Sequence, residues 1–232
     1  MKVMTFNVQH CIEYLKNEIS YEAIANVIKR VKPDVVALNE MYDDDENSKY
    51  GSQVEKLSKL TGMKHYYFAK AIETEDGPYG NAILSKYVIK NPKVLIIPNP
   101  KEKRNKNGYY EQRCVLKATI KKNIRILITH FGLNIDEQEN ALETLLKNIK
   151  DKKCILMGDF NIEPDHFIIE RIRDRMKDAS IGFCENEKTW PSDKPKVKID
   201  YIFTSKDINI ESSSVPDLVA SDHRPHVATL EI

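Results

Sequence analysis

The sequence is poor in the residues that mark unfolded, fibrous or cross-linked chains. Eight glycines and ten prolines in 232 residues exclude a collagen-like or linker-dominated protein. There is one tryptophan, and the four cysteines, Cys11, Cys114, Cys154 and Cys184, never fall at a C-x-x-C spacing. That excludes a zinc ribbon and a thioredoxin-type motif. Their even number would permit two disulfides, but nothing else looks secreted. Met1-Lys2 runs directly into the strand-like Val3-Met4-Thr5-Phe6-Asn7-Val8, without the apolar segment of a signal peptide. Reduced thiols and a cytoplasmic protein are therefore expected. No apolar run approaches the about 18 residues needed to cross a bilayer. Neither sign of charge prevails: 36 Lys and Arg against 35 Asp and Glu leave +1. This balance argues against a polybasic nucleic-acid coat and against an acidic disordered tail.

What is present is the material of a core. Hydrophobic residues make up 41% and charged residues 31%, enough apolar mass to fold compactly. The length suits one large domain or two small ones, and no composition break marks a linker. Helical and strand signals alternate throughout. Ser20 reads as an N-cap, followed by Ile24, Val27, Ile28 and Val31 at helical spacing and a stop at Pro33. Ser52-x-x-Glu55 reads as a capping box opening a helix to Gly62. Asp136-x-x-Glu139 is expected to start a helix through Leu142, Leu145, Leu146 and Ile149. A further helix is expected near Asp165, carrying Ile168, Ile169, Ile172 and Met176. Strands are expected over 35–38, 65–71, 81–85, 94–97, 113–120, 124–131, 154–157, 199–204 and 226–232. Strands with intervening helices suggest packed sheets covered by helices. The basic stretch Lys101 to Asn107 reads as a solvated loop, as does the acidic Asp43-Asp44-Asp45-Glu46.

Chemistry gathers where the strands stop. Phe6 is followed by Asn7, Leu38 by Asn39-Glu40, Ile128 by Thr129-His130, and Met157 by Gly158-Asp159-Phe160-Asn161. Ile199-Asp200-Tyr201 opens a strand, and Ser221-Asp222-His223-Arg224-Pro225 precedes the last one. Taken singly, each such residue is more simply a turn residue or a cap. Taken together, carboxylates, amides and histidines at one sheet edge are what a hard divalent cation and a phosphoester require.

In this order these motifs resemble the endonuclease/exonuclease/phosphatase superfamily, the DNase I-like metal-dependent phosphoesterases. Gly80-Asn81-Ala82-Ile83-Leu84-Ser85 and Tyr110-Glu111-Gln112-Arg113 add to the likeness, which spans residues 3 to 230. It implies one catalytic domain over residues 1–232 with an α/β (α+β) fold. The architecture would be a four-layer sandwich, two β-sheets face to face with helices on both outsides. The usual Gln-Glu pair of the family is here Asn39-Glu40. This keeps the carboxylate and should alter the support around a metal rather than abolish its binding.

The resemblance further implies a phosphodiesterase working by in-line attack of water with Mg²⁺, Mn²⁺ being able to substitute. Glu40 would be the principal metal ligand, Asn7 a ligand or its neighbour, and Asp222 a ligand to a second ion or a bridging water. Asp159 would deprotonate the water and Asn161 would hold the nucleophile or a phosphoryl oxygen. His223 with Asp200, and His130 with Glu111, would stabilise the transition state or protonate the leaving oxygen. Three positions keep two readings each. Asn81 lies either on the cleft floor or in a turn. Arg113 reaches either a phosphate or an internal salt bridge, and Trp190 either stacks on a base or caps the core. A monomer acting on a small or mixed range of phosphodiesters is expected. DNA or RNA hydrolysis is the alternative, and an inactive binding module on the same fold the alternative from another class.

Overall fold

In the computed structural model, which describes residues 1–44 and 48–232, the described residues form two six-stranded β-sheets, a two-stranded ribbon and four α-helices. Asp45 and Glu46 of the acidic stretch lie outside the described residues. In chain order the elements are β1 (Lys2–Asn7), a small ribbon of β2 (Ile12–Glu13) and β3 (Glu18–Ile19), α1 (Tyr21–Val31), β4 (Val35–Tyr42) and α2 (Gln53–Thr61). Then come β5 (His65–Thr74), β6 (Gly77–Ser85), β7 (Lys90–Ile96), β8 (Cys114–Ile120), β9 (Ile124–His130) and α3 (Ile135–Leu146). The chain closes with β10 (Cys154–Asp159), α4 (Phe167–Arg173), β11 (Met176–Asp178), β12 (Asp200–Ser205), β13 (Asn209–Ser214) and β14 (His226–Glu231).

One sheet has the order β13-β14-β1-β4-β6-β5 and the other β11-β12-β10-β9-β8-β7. In each, the middle holds a parallel pair, β1 with β4 and β9 with β10, inside otherwise antiparallel neighbours. Both faces of these middle strands are covered, so they are continuously apolar rather than alternating. Val3, Val35, Ala37 and Ile83 face Leu116, Ile126, Ile128, Ile155 and Met157 between the sheets. The intervening residues Met4, Phe6, Val36 and Leu38 turn outward onto Ile24, Ile28, Val54 and Leu57 of α1 and α2. Leu127, Leu156, Tyr201 and Phe203 do the same beneath Leu142, Leu145, Ile168 and Ile172 of α3 and α4. Three apolar layers thus separate four layers of secondary structure. All four cysteines are buried and none is in a disulfide. No helix among the described residues is long and apolar enough to cross a membrane.

Local signals account for most element starts. Ser20 Oγ accepts the Ala23 N–H at 3.2 Å, and Ser52 Oγ accepts that of Glu55 at 3.3 Å. Gly62 closes α2 in the left-handed region. Four expectations need correction. The N-cap of α3 is Asn134, with Glu137 Oε2 accepting its N–H at 3.2 Å. The 134–137 and 136–139 spacings spell the same motif, and Asp136 is drawn away by the Tyr110 hydroxyl and the Arg104 N–H. Met176 does not extend α4 but opens β11. Strands β11 and β13 escape a hydrophobicity reading because one has three residues and the other is Asn-Ile-Glu-Ser-Ser-Ser on a sheet edge. Edge strands of this kind need not be apolar. Finally, β6 begins at Gly77, so Asn81 lies inside a strand rather than in a turn.

The two sheets are pinned by a polar seam at one end. Asn39 is fully buried, yet its Nδ2 donates to Asn81 Oδ1 (2.7 Å) and Thr129 O (2.9 Å), while its Oδ1 accepts the Asp159 N–H (3.1 Å). Asn81 Nδ2 in turn donates to Cys114 O at 3.1 Å. Replacing Asn39 with Ala would strand several buried polar groups at once, each costing about 1–3 kcal/mol. Urea unfolding of Asn39→Ala should therefore show a loss of about 3 kcal/mol with an unchanged slope; an unchanged midpoint would refute the bridging role.

Candidate active site

Strand pairing brings the polar strand ends into register before any side chain is considered. Asn7 is opposite Asn39 in the β1–β4 pair. Asp159 is opposite His130 on one side and Asp200 on the other. At Asn39-Glu40 the β4–β6 register shifts, and Glu40 takes a left-handed backbone with φ 59°. Such a bulge re-aims a side chain, and here the Glu40 carboxylate turns into the cleft between the sheets. Gly158 beside Asp159 has φ 152°, and a Cβ there would meet Thr129 O at 1.9 Å. Only glycine allows β9 and β10 to run this close next to the carboxylate.

Asn7 joins the two sheets' carboxylates. Its Nδ2 donates to Glu40 Oε1 at 2.9 Å and to Asp159 Oδ2 at 3.0 Å, while its Oδ1 accepts the Gln9 N–H at 3.1 Å. Its oxygen is thus engaged, and its amide group faces the acids. Asp159 is almost wholly buried, and burial pushes its carboxyl up to about 7 against the opposing pull of His223. The same Oδ2 lies 3.6 Å from His130 Nε2 and 3.6 Å from His223 Nε2.

The two histidines are pushed in opposite directions. His223 Nδ1 is 2.8 Å from Asp200 Oδ2. Burial works against its charge, but Asp200 and Asp159 overcome that and raise it to about 10. His130 is held well below its usual value by burial and by the Arg113 guanidinium, whose Nη1 is 3.0 Å from its Nδ1. Arginine only donates, so His130 Nδ1 accepts and the ring proton sits on Nε2. Glu111 does not reach His130 directly: Arg113 stands between them, 2.7 Å from Glu111 Oε1. Arg113 therefore makes the internal ion pair while still lining the cleft. Asn161, with φ 51°, donates from Nδ2 to Phe131 O at 3.0 Å and lies 3.2 Å from His130 Nε2.

The remaining candidates divide. Trp190 is 40% exposed, borders the cleft and donates from Nε1 to Asp222 Oδ2 at 3.2 Å, so it does not cap the core. Asp222 has its other oxygen on the Ser221 hydroxyl at 3.1 Å, so neither oxygen is unshared. Asn81 is buried behind the cleft, where it holds Asn39 rather than lining the floor. His10 is a neighbour of Glu40 that strand ends did not indicate. Its Nε2 is 3.7 Å from Glu40 Oε2 and its ring packs 5.1 Å from Tyr42. It sits three residues past Asn7 within Gln9-His10-Cys11, all of positive φ. That irregular turn has no periodicity to read.

These groups open onto a cleft of about 490 Å³. Asp159, Asp200 and His223 offer ligand atoms within 4.8 Å of one another. Asp200 Oδ1 is buried without a hydrogen-bond partner. The cluster holds oxygen donors for a cation and both a protonated and a neutral imidazole beside them.

A family model described as Endonuclease/Exonuclease/phosphatase family matches residues 4–223. No curated protein matches the sequence significantly. Among solved structures, an endonuclease/exonuclease/phosphatase from Beutenbergia cavernae aligns with a TM-score of 0.80 at 22% identity, over 100% of this chain and 71% of that one. A mannosyl-6-phosphatase from Bacteroides thetaiotaomicron gives 0.80 at 14% identity over 100% of both chains. The human Nocturnin catalytic domain with bound sulfate gives 0.67 at 18% identity, over 100% of this chain and 94% of that one. At these identities the three structures show that the DNase I-like fold is shared.

A raised Asp159 has a thermodynamic consequence. The folded protein keeps this proton up to about 7, whereas the unfolded chain releases it near 3.8, so stability falls as pH rises between those values. In EDTA, Asp159→Asn should melt about 5 °C above wild type at pH 8 and converge with it at pH 4. A variant less stable than wild type at pH 8 would contradict the assigned burial of this charge.

Proposed function

The chain belongs to the endonuclease/exonuclease/phosphatase family, and from that premise we propose that it is a Mg²⁺-dependent phosphodiesterase acting by in-line attack of water. The observation that carries the reading is the position of Asp159. A buried carboxyl raised to about 7 lies 3.6 Å from both a charged and a neutral histidine, at the inner end of a cleft. A proton acceptor of that strength suits a neutral-pH general base.

The donor set fits a hard divalent cation. Glu40 opens into the cleft, Asp159 Oδ2 is held beside it by Asn7, and the buried Asp200 Oδ1 has no hydrogen-bond partner. Glu40 would hold the ion, with Asp159 beside it left to take the proton, and oxygen donors favour Mg²⁺ or Mn²⁺ over softer metals. Bound there, the ion would supply positive charge to the phosphoryl oxygens. Asn7 is then the brace that keeps the two acids together, and Asp222, which lines the cleft and also braces the Trp190 indole, keeps lone pairs for a second ion or a bridging water.

The side chains divide the work. Asp159 takes a proton from the attacking water as the water oxygen bonds to phosphorus and the ester P–O bond breaks. His223, charged through Asp200, places an imidazolium against the pentacovalent phosphorus and gives the leaving alkoxide its proton. His130, neutral with its proton on Nε2, donates to a phosphoryl oxygen and is fixed in that tautomer by Arg113. Asn161 orients the nucleophile or that oxygen. No member of this set is missing, which argues against an inactive binding module.

A nuclease is the second reading. Lys101, Lys103 and Lys106 are exposed on the segment that leads to Tyr109, and Lys188, Lys194 and Lys196 on the segment around Trp190. Both segments reach the cleft through Tyr109 and Trp190. That arrangement could track a phosphate backbone, with salt-dependent affinity.

Release of nitrophenol from bis(p-nitrophenyl) phosphate with Mg²⁺, Mn²⁺ or EDTA tests the main reading. Metal-dependent release is expected; none with any metal would overturn it. Asp159→Asn should lower turnover roughly 10²- to 10⁴-fold, and a near-native rate at pH 7 would remove Asp159 from the mechanism. Glu40→Gln should raise the Mg²⁺ concentration needed for half-maximal rate at least about tenfold, with melting little changed. An unchanged Mg²⁺ requirement would remove Glu40 as a ligand.

A further inference from the structure

Glu40 turns its two oxygens toward different neighbours. Oε1 accepts the Asn7 amide N–H at 2.9 Å, while Oε2 faces His10 Nε2 at 3.7 Å. That separation is too long for a hydrogen bond. The other ring nitrogen finds none either: His10 Nδ1 is buried and has no partner among the described residues. Buried nitrogens of structural histidines are normally hydrogen-bonded, and an exception calls for a reason, a bound ion among them.

The ring is nonetheless firmly held. His10 has a left-handed backbone with φ 57°, a conformation that costs a residue with a Cβ free energy. Gln53 secures it. This fully buried side chain donates from Nε2 to His10 O at 2.7 Å and accepts the Tyr42 N–H at Oε1, also at 2.7 Å. It thereby ties the His10 turn to β4 two residues beyond Glu40. The imidazole packs against Tyr42, Tyr50 and Tyr79 with 5.1, 6.1 and 5.4 Å between ring centres. All three tyrosines are buried, and Tyr42 and Tyr50 stack on each other at 4.3 Å. An imidazole fixed before binding loses little freedom when its nitrogen is used.

We propose that His10 Nε2 is a nitrogen ligand to the cation that Glu40 binds, and that it shifts the preference of the site from Mg²⁺ toward Mn²⁺. This rests on the reading of Glu40 as a metal ligand and adds a donor of another kind. Imidazole nitrogens and carboxylate oxygens bind divalent metals at about 2.0–2.2 Å, so two such donors on one ion stand about 2.9–4.2 Å apart. Glu40 Oε2 and His10 Nε2 fall within that span. The ring binds neutral, with its proton on Nδ1. Mg²⁺ favours oxygen donors and its own waters, whereas an imidazole donor suits transition metals. Without His10, the Glu40 carboxylate and its Asn7 contact remain, so the nitrogen contributes selectivity more than the site itself.

Pulsed EPR of the Mn²⁺-loaded wild-type protein tests the ligand directly and needs no substitution. A hyperfine coupling from a directly bound nitrogen is expected, and it should change when histidine alone is isotopically labelled. His10→Gln and His10→Ala should both abolish it. Mn²⁺ bound without a directly coupled nitrogen would overturn this inference and leave Glu40 as a ligand. Absence of any Mn²⁺ binding would sink the Glu40 site and its nitrogen ligand together. A coupling that survives both variants belongs to another histidine and also overturns the assignment.

Mn²⁺ titration with Mg²⁺ as competitor reads the selectivity apart from activity. His10→Gln should raise the Kd for Mn²⁺ at least about tenfold and that for Mg²⁺ less than about threefold. Equal losses for the two ions would show that His10 merely positions Glu40, and would refute the nitrogen ligand.

Discussion

Two carboxylates from different sheets meet over one amide: Asn7 Nδ2 donates to both Glu40 Oε1 and Asp159 Oδ2. Bringing like charges together in a buried seam is unfavourable unless something opposes their repulsion. Here the opposing groups are dipoles and one imidazolium. Asn7 bridges the acids, Asn39 fixes the Asp159 backbone, and His223 lies 3.6 Å from the Asp159 carboxylate. Burial, with Asp200 nearby, still leaves the Asp159 carboxyl raised to about 7. The fold tolerates that charge arrangement because two sheets, each with a parallel pair at its centre, end at the same place. Their polar residues then share one cleft.

The electrostatics extend from that seam in two directions. Asp200 charges His223 through a 2.8 Å contact, while Arg113 keeps His130 neutral through a 3.0 Å contact and is itself balanced by Glu111. The two rings are thus shifted in opposite directions, because both are buried but the charged residue touching each differs in sign. A pair of titratable groups pushed apart in this way is a signature of acid–base chemistry. The same supporting acids reach outward: Glu111 and Asp222 anchor Tyr109 and Trp190, so the walls of the cleft and its catalytic centre share their braces.

Much of this arrangement was legible in the residue order. Strands β1, β9 and β10, which stop at Asn7, His130 and Asp159, do converge with Glu40, although β4 runs past Glu40 to Tyr42 through a bulge, and Ser20, Ser52 and Gly62 act as the caps their types suggest. What could not be read depends on contacts distant in sequence. Glu111 was matched with His130, but the arginine two residues on occupies the space between them. Asp222 also anchors the Trp190 indole, 32 residues earlier, a contact that no local pattern announces. Asn81 looked equally like a cleft or turn residue and proved to be a buried clamp on Asn39. His10 approaches Glu40 through three left-handed residues that no hydrophobic period encodes. The serine-rich β13 forms a strand only because β14 offers it a partner.

The central claim is that Glu40 binds a cation beside Asp159, the two acids being held together by Asn7. Anomalous diffraction from crystals soaked in Mn²⁺ locates the ion without reference to activity. The account predicts one strong peak within coordination distance of Glu40, beside Asp159 and the Asn7 amide. A peak bound elsewhere, with Glu40 and Asp159 left apart from it, would contradict the account.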